Sequence, residues 1–185
     1  MPKCLSRLLD RVGDVGNGGA SGLIGICIGD SSLLMDVFKG WLSVNYIFIV
    51  SNSSQLSSTT FFEFQLAFGV AAVIGHLFPI YTGFRGGKGI ATLLGLLIGL
   101  NWLAAIVAIV VFVIVFLFSK YVSLGSILAS FAFPFVVFVI LDEKDVNASI
   151  ELFSVFVPIL TLITHQKNIE RIMKGQETKL TFGKK

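Results

Sequence analysis

The sequence predicts an all-α, polytopic transmembrane helical bundle of about six crossings, some of them short, kinked or partly re-entrant. Three observations carry this. Hydrophobic residues make up 55% of the chain and the mean hydropathy is +0.88, far above what a soluble domain needs. The apolar residues fall in long runs, and about 20 of them in a helix cross a bilayer core. The 185 residues then leave room for about six crossings and no sizeable soluble domain.

The elements follow in order. Residues 1–30 are glycine-rich (VGDVGNGGASGLIGICIGD) and weakly apolar. They are expected to form a cytoplasmic N-terminal loop with a short helix at Cys4–Arg11, without a cleavable signal peptide. The membrane domain spans 31–166. Its first crossing, 31–50, carries Asp36 and Lys39, which at i,i+3 pair on one helix face. The polar loop SNSSQLSSTT (51–60) ends it. A second crossing, 61–80, ends at His76 and Pro79. Residues 89–118 are almost wholly apolar and as one helix would extend about 45 Å, longer than the hydrocarbon core. Gly95, Gly99, Asn101 and Trp102 predict a break, giving segments 89–101 and 103–118. The next crossing, 124–141, contains Pro134, which kinks a helix but is tolerated where neighbours satisfy the freed carbonyl. DEKDVN forms a turn. The last crossing, 148–165, holds Glu151 near its start and Pro158 inside. Residues 167–185 form a basic, amphipathic tail.

Charge sets orientation and narrows function. The net charge is +3 and the pI about 9.0. Cytoplasmic loops of membrane proteins carry excess Lys and Arg, and anionic lipid or phosphate substrates are attracted by the same charge. Counted over six crossings, Arg85 and Lys88, then Lys120, then the tail fall on one side. Both termini and the 83–89 loop are therefore expected in the cytoplasm. No basic face alternates with exposed aromatics, so nucleic acid is not an expected partner. Cys4 and Cys27 have neither metal nor redox spacing.

The segment GHLFPIYTGFRGGKGIAT (75–92) is the strongest functional signal. Gly83, Gly86, Gly87 and Gly89 surround Arg85 and Lys88 between two apolar segments. Glycines let backbone N–H groups turn toward a ligand and form an anion-binding concavity. A helix starting near Gly89 adds its N-terminal dipole, and Lys88 adds a point charge. A nucleotide P-loop needs Ser or Thr after its Gly-Lys pair; here Gly89 follows Lys88. Phosphate binding is favoured over nucleotide binding, and the alternative is a flexible loop whose glycines serve close helix packing. His76 either contacts the ligand or fixes the loop as a helix-end histidine. His165, Asn168 and Arg171, at i, i+3 and i+6, share one helix face and form a phosphate- or hydroxyl-binding stripe; the alternative is a solvated basic face. Ser123, in YVSLGS, is a helix N-cap or a site residue. Neither histidine has partners at metal-ligand spacing. No Ser-His-Asp triad can be assembled. The HX4D pattern of many acyltransferases is absent, since Tyr81 and Glu170 stand five residues after the histidines.

GHLFPIYTGFRGGKGIAT, YVSLGSILA and HQKNIERIMKGQETK, with DVFKGW at 36–41, resemble the PlsY family, the acyl-phosphate:glycerol-3-phosphate acyltransferases of bacterial membranes. The resemblance covers about residues 31–180. It implies transfer of a fatty acyl group from acyl phosphate to the 1-position of glycerol 3-phosphate, giving lysophosphatidic acid at the inner membrane. It implies acyl phosphate, glycerol 3-phosphate and membrane lipids as partners, and no cofactor or metal. Lys88, Ser123, His165 and Asn168 become the candidate catalytic residues. Gly86, Gly87, Gly89, Arg171, Asn17, Ser21 and His76 become the candidate substrate-binding residues, and Glu177 takes a structural role. The family's first motif is altered in GNGGASGLIG (16–25): Val15 stands for its serine, Ser21 for its threonine, Gly22 for its second asparagine and Gly25 for its arginine. The family's first membrane helix has no counterpart in residues 1–30.

An acyl phosphate is a mixed anhydride with a good leaving group, so positioning and charge stabilisation matter more than covalent chemistry. The rivals are a non-catalytic anion binder or transporter subunit using Glu63 and Glu151 as pathway groups, and an inactive remnant of the enzyme. A transporter would show an internal repeat, and none is visible.

Overall fold

The computed structural model describes residues 23–50, 57–80, 83–84, 86–141 and 147–179. The chain divides into two compact units, Met1–Met35 and Asp36–Lys185, and the contacts below lie in the second. Among the described residues the regular elements are all helical: α1 (Leu23–Asn45), α2 (Ile47–Val50), α3 (Ser58–Leu77), α4 (Ile90–Leu100), α5 (Trp102–Ser119), α6 (Val122–Phe135), a π-helical extension (Val136–Ile140), α7 (Ala148–Thr164) and α8 (Gln166–Met173). The all-α membrane architecture is as predicted. Among the described residues, three elements are long and apolar enough to cross a bilayer: α3, α5 and α6 with its extension. A fourth is added if α7 and α8, bent by 62°, count as one broken span. The 11-residue α4 is short for a crossing, in line with the short, partly re-entrant segments expected. The glycine-rich loop expected over 1–30 gives way to helix at Leu23, where the apolar run LIGICI begins; Cys4–Arg11 lies outside the described residues.

The break in the long apolar stretch falls where expected. Asn101 closes α4 and opens α5, its Oδ1 accepting from Ala104 N at 2.9 Å. An extended φ of −151° at Asn101 prevents one continuous helix. Ser57 caps α3 through Thr60 N and Asn147 caps α7 through Ile150 N, the usual use of short polar side chains at helix starts. Pro134 lies inside α6, and two residues beyond it the helix widens to π geometry, closed by Leu141 N to Val136 O at 3.0 Å. Proline has no N–H for the i−4 carbonyl, which here is that of Ser130.

Sorting of side chains follows the solvent. Phe133, Leu96, Val44 and Val136 are fully buried, whereas Phe118 is 88% exposed and Leu152 75%. Such exposed apolar faces suit contact with lipid tails, which offer hydrocarbon where water would exact a cost. Hydroxyls at the interior satisfy themselves on their own helices: Ser130 on Ile127 O, Ser154 on Glu151 O, Thr161 on Val157 O. Thr92 alone among the described buried side chains has a polar atom, Oγ1, without a partner.

Two glycines set the approach of α1 to α4. A Cβ at Gly40 would stand 2.1 Å from Thr92 O, and one at Gly95 would stand 1.9 Å from Val37 O. Backbone meets backbone in both cases, as small residues permit in membrane helices. Gly40→Ala and Gly95→Ala are each expected to cost about 1–3 kcal/mol by overpacking. Gly75→Ala, with nothing within 4 Å of the new Cβ, is expected to be neutral or to gain up to about 1 kcal/mol in helix preference. Thermal denaturation of the purified protein in detergent ranks the three.

Candidate functional site

The glycine loop is folded back on the helix that precedes it. After α3, Phe84 N bonds to Pro79 O at 3.0 Å and Gly83 N to Ile80 O at 3.3 Å, reversing the chain. Gly86 and Gly87 then run beside the last turn of α3. A Cβ at Gly86 would lie 2.1 Å from His76 O and 2.5 Å from Leu77 O; one at Gly87 would lie 2.4 Å from His76 Nε2. Gly89 takes a left-handed φ of 76°, a conformation glycine adopts without steric penalty, and its carbonyl accepts the first bond of α4, from Leu93 N at 2.8 Å. Lys88 is therefore held at the N-terminus of an 11-residue helix, where backbone donors have no intrahelical partners and the dipole favours an anion. The glycines serve close packing, the structural alternative for this loop, and they bring Lys88 to the start of α4.

The second half of the site comes from the break between α7 and α8. His165 sits in the bend with a non-helical backbone and is only 2% exposed. Its Nδ1 lies 3.0 Å from Thr161 O. A carbonyl can only accept, so the proton is on Nδ1, and Nε2 of the neutral ring carries a lone pair. The 62° bend starts α8 in a new direction, and Gly175 (φ 66°) turns the chain back after it, with Gln176 N on Arg171 O at 2.8 Å. That turn delivers Glu177. Its Oε1 accepts from Ser123 Oγ at 2.7 Å and from Asn168 Nδ2 at 2.9 Å. Lys179 Nζ lies 5.5 Å over the Tyr121 ring, a cation–π contact that holds the same segment on the start of α6.

Electrostatics joins the two halves. Lys88 is accessible, yet the protein around its side chain desolvates it and pushes its pKa below the ordinary lysine value; Glu177 pulls the pKa up and Arg171 pushes it down. Lys88 thus feels both the carboxylate and the guanidinium of the C-terminal segment. Desolvation disfavours the ammonium while a nearby opposite charge restores it, and a bound phosphate would act in the restoring direction.

Of the residues singled out in sequence, Ser123, Asn168 and Glu177 are in direct contact, and Lys88 and Arg171 interact through space with one another. Ser123 is not a cap: Tyr121 occupies that position of α6, and Ser123 is buried and turned to Glu177. His76 packs against Gly87 and also meets Asp36, with Nδ1 3.4 Å from Oδ1. Asp36 pairs with Lys39 at 3.1 Å, as the i,i+3 spacing predicts; no local pattern signals its second partner, 40 residues away. Thr92, in the first turn of α4, was likewise missed. Glu63 and Glu151 are exposed near helix starts. Asn17, Ser21 and Arg85 lie outside the described residues.

Known proteins resemble this chain in sequence and fold. Residues 11–175 match the family described as glycerol-3-phosphate acyltransferase. The chain is 34% identical over 173 residues to a glycerol-3-phosphate acyltransferase of Endomicrobium trichonymphae, covering 92% of this chain and 81% of that protein. It is 32% identical to one of Chlorobium luteolum, covering 98% and 89%. Among solved structures it resembles the integral membrane glycerol 3-phosphate acyltransferase PlsY in its glycerol 3-phosphate form, with TM-score 0.74, 25% identity and coverage of 91% of this chain and 82% of the other. It also resembles PlsY in its lysophosphatidic acid form, with TM-score 0.70, 27% identity and coverage of 86% and 76%.

A pH dependence follows from Lys88. Its depressed pKa means that the ammonium is lost at lower pH than in a free lysine, so phosphate affinity is expected to fall as pH rises through that value. Glu177→Gln keeps an acceptor for Ser123 and Asn168 but removes the charge that raises the Lys88 pKa, so the fall moves to lower pH. Titrating inorganic phosphate binding against pH in both proteins measures the displacement; superimposable profiles would contradict it.

Proposed function

We propose that this chain, which belongs to the glycerol-3-phosphate acyltransferase family, transfers a fatty acyl group from acyl phosphate to the 1-hydroxyl of glycerol 3-phosphate, releasing lysophosphatidic acid and inorganic phosphate. The observation that carries this reading is the convergence of Lys88, at a helix N-terminus, with the Ser123–Glu177–Asn168 cluster, seen in the charge coupling of Lys88 to Glu177 and Arg171. A cationic, amide-rich end beside a hydroxyl-binding end suits a polyol phosphate. The relatives' name and the glycerol 3-phosphate form of the structural neighbour support the same substrate.

The chemistry is a direct acyl transfer. The substrate oxygen attacks the acyl carbon and forms the ester C–O bond. The C–O bond to the phosphate breaks, and inorganic phosphate leaves with the electron pair. The hydroxyl proton passes to that phosphate, so no side-chain base is required. Lys88 and the amides at the start of α4 hold phosphate and stabilise charge as it develops. His165, buried and fixed through Nδ1 by Thr161, offers Nε2 to the attacking hydroxyl. Asn168, held by Glu177, orients the glycerol backbone, and near-attack positioning supplies much of the rate. Ser123 locks Glu177 in place. Asn17 and Ser21 are assigned to substrate, on the resemblance of their segment to the family's first motif. The exposed apolar faces of the helices keep the acyl chain in the lipid. The site is assigned to the cytoplasmic face of a bacterial plasma membrane, where the Lys and Arg excess of the 83–89 loop and tail belongs.

Purified protein in lipid, given acyl phosphate and labelled glycerol 3-phosphate, should form labelled lysophosphatidic acid. Lys88→Ala should lower turnover by about 10²–10³, the loss typical of one charge-stabilising donor, with an unchanged melting profile. Product formation at the wild-type rate by Lys88→Ala would overturn the assignment of Lys88.

A further inference from the structure

The floor beneath the glycine loop is a histidine ring held by a carboxylate. Asp36 Oδ1 lies 3.4 Å from His76 Nδ1, and both side chains are largely buried, at 21% and 17% exposure. Asp36 sits one turn before Gly40, where α1 is pressed backbone to backbone on α4, so the carboxylate is fixed relative to the helix that the loop opens. With Nδ1 facing Asp36, the opposite ring atom, Nε2, is the one a Cβ at Gly87 would meet, at 2.4 Å. The ring therefore occupies the space a side chain at Gly87 would take, immediately before Lys88. The His76 and Leu77 carbonyls bound Gly86 in the same way.

We infer that Asp36 and His76 are a positioning pair for phosphate binding: Asp36 orients the imidazole, and the imidazole sets the height of the Gly87 backbone and hence the place of Lys88 over the start of α4. This rests on the function proposed above and adds two residues that touch no reacting atom. Asp36 acts by fixing the ring's tautomer and rotation, as carboxylates do for ligating histidines. It also shares Oδ1 with Lys39, which holds the carboxylate in place. Gly87 is not among the glycines with a left-handed φ. An alanine there is excluded by the ring and not by its own backbone, which makes the coupling measurable.

The test is a double-mutant cycle on glycerol 3-phosphate binding, measured directly with the labelled ligand on purified protein in detergent and again as KM. Gly87→Ala alone should weaken binding about tenfold. In the His76→Ala background, where the obstructing ring is gone, the same change should cost about threefold or less. Asp36→Asn, nearly isosteric, should weaken binding and partly relieve Gly87→Ala by freeing the ring. It serves in place of His76→Ala if that variant does not fold. The coupling should appear in the directly measured Kd and in KM, and kcat should fall only as far as Lys88 is displaced. Equal costs of Gly87→Ala in all backgrounds, or a coupling confined to kcat, would overturn the positioning role and leave the acyltransferase reading intact. A wild-type protein that binds no glycerol 3-phosphate would overturn the functional reading and this inference with it.

Discussion

The carboxylate of Glu177 is the point at which three distant segments become one site. Its Oε1 takes the Ser123 hydroxyl from the start of α6 and the Asn168 amide from α8, and its charge reaches Lys88 in the loop before α4. A single acceptor oxygen with two donors, one of them buried, is a charge-assisted cluster of the strong kind. Without it, the Lys179–Tyr121 contact is the remaining anchor on the start of α6 among the described residues after Gly175, and Lys88 loses the anion that favours its protonated form. The His165–Asn168 stripe would then remain on its helices but lose its alignment with the loop.

The bilayer explains why the site is built from helix ends. Irregular backbone is tolerated at membrane depth only where protein or a polar cavity satisfies it. Each break therefore carries a device: the Asn101 side chain between α4 and α5, the π turn after Pro134, the Thr161 carbonyl bonded to the His165 ring. Helix ends are also where unpaired backbone groups and side chains of high polarity collect. The loop at Lys88 and the bend at His165 are both such ends.

Much of this was legible in sequence, for physical reasons that can be named. Apolar run lengths gave the helical class, and the length of 89–118 forced a break that Asn101 supplies. Glycine and lysine spacing marked the loop that packs on α3 and opens α4, because only backbone geometry and charge were needed. The i, i+3, i+6 spacing put His165, Asn168 and Arg171 together, although His165 turned out to occupy the bend between two helices. The contacts that pattern could not reach are those between elements. Asp36 on His76 joins α1 to α3, and the Gly87 fit to the ring is a matter of shape. Ser123 read equally well as a cap until its hydroxyl was seen to face Glu177. The helical start at Leu23 was hidden by the glycines that precede it, whose low helix propensity overshadowed the short apolar run.

The central claim is that one glycerol 3-phosphate molecule is held at its phosphate by Lys88 and at its hydroxyl end by the α7–α8 bend. Solid-state NMR with phosphorus-31 in the ligand and nitrogen-15 at lysine Nζ and in the histidine rings measures this directly in lipid. The account predicts a strong phosphorus–nitrogen dipolar coupling to Lys88 Nζ, lost in Lys88→Ala, and none to the His165 ring. A phosphorus coupled to the His165 ring, with no contact to Lys88, would place the ligand the other way round and contradict the account.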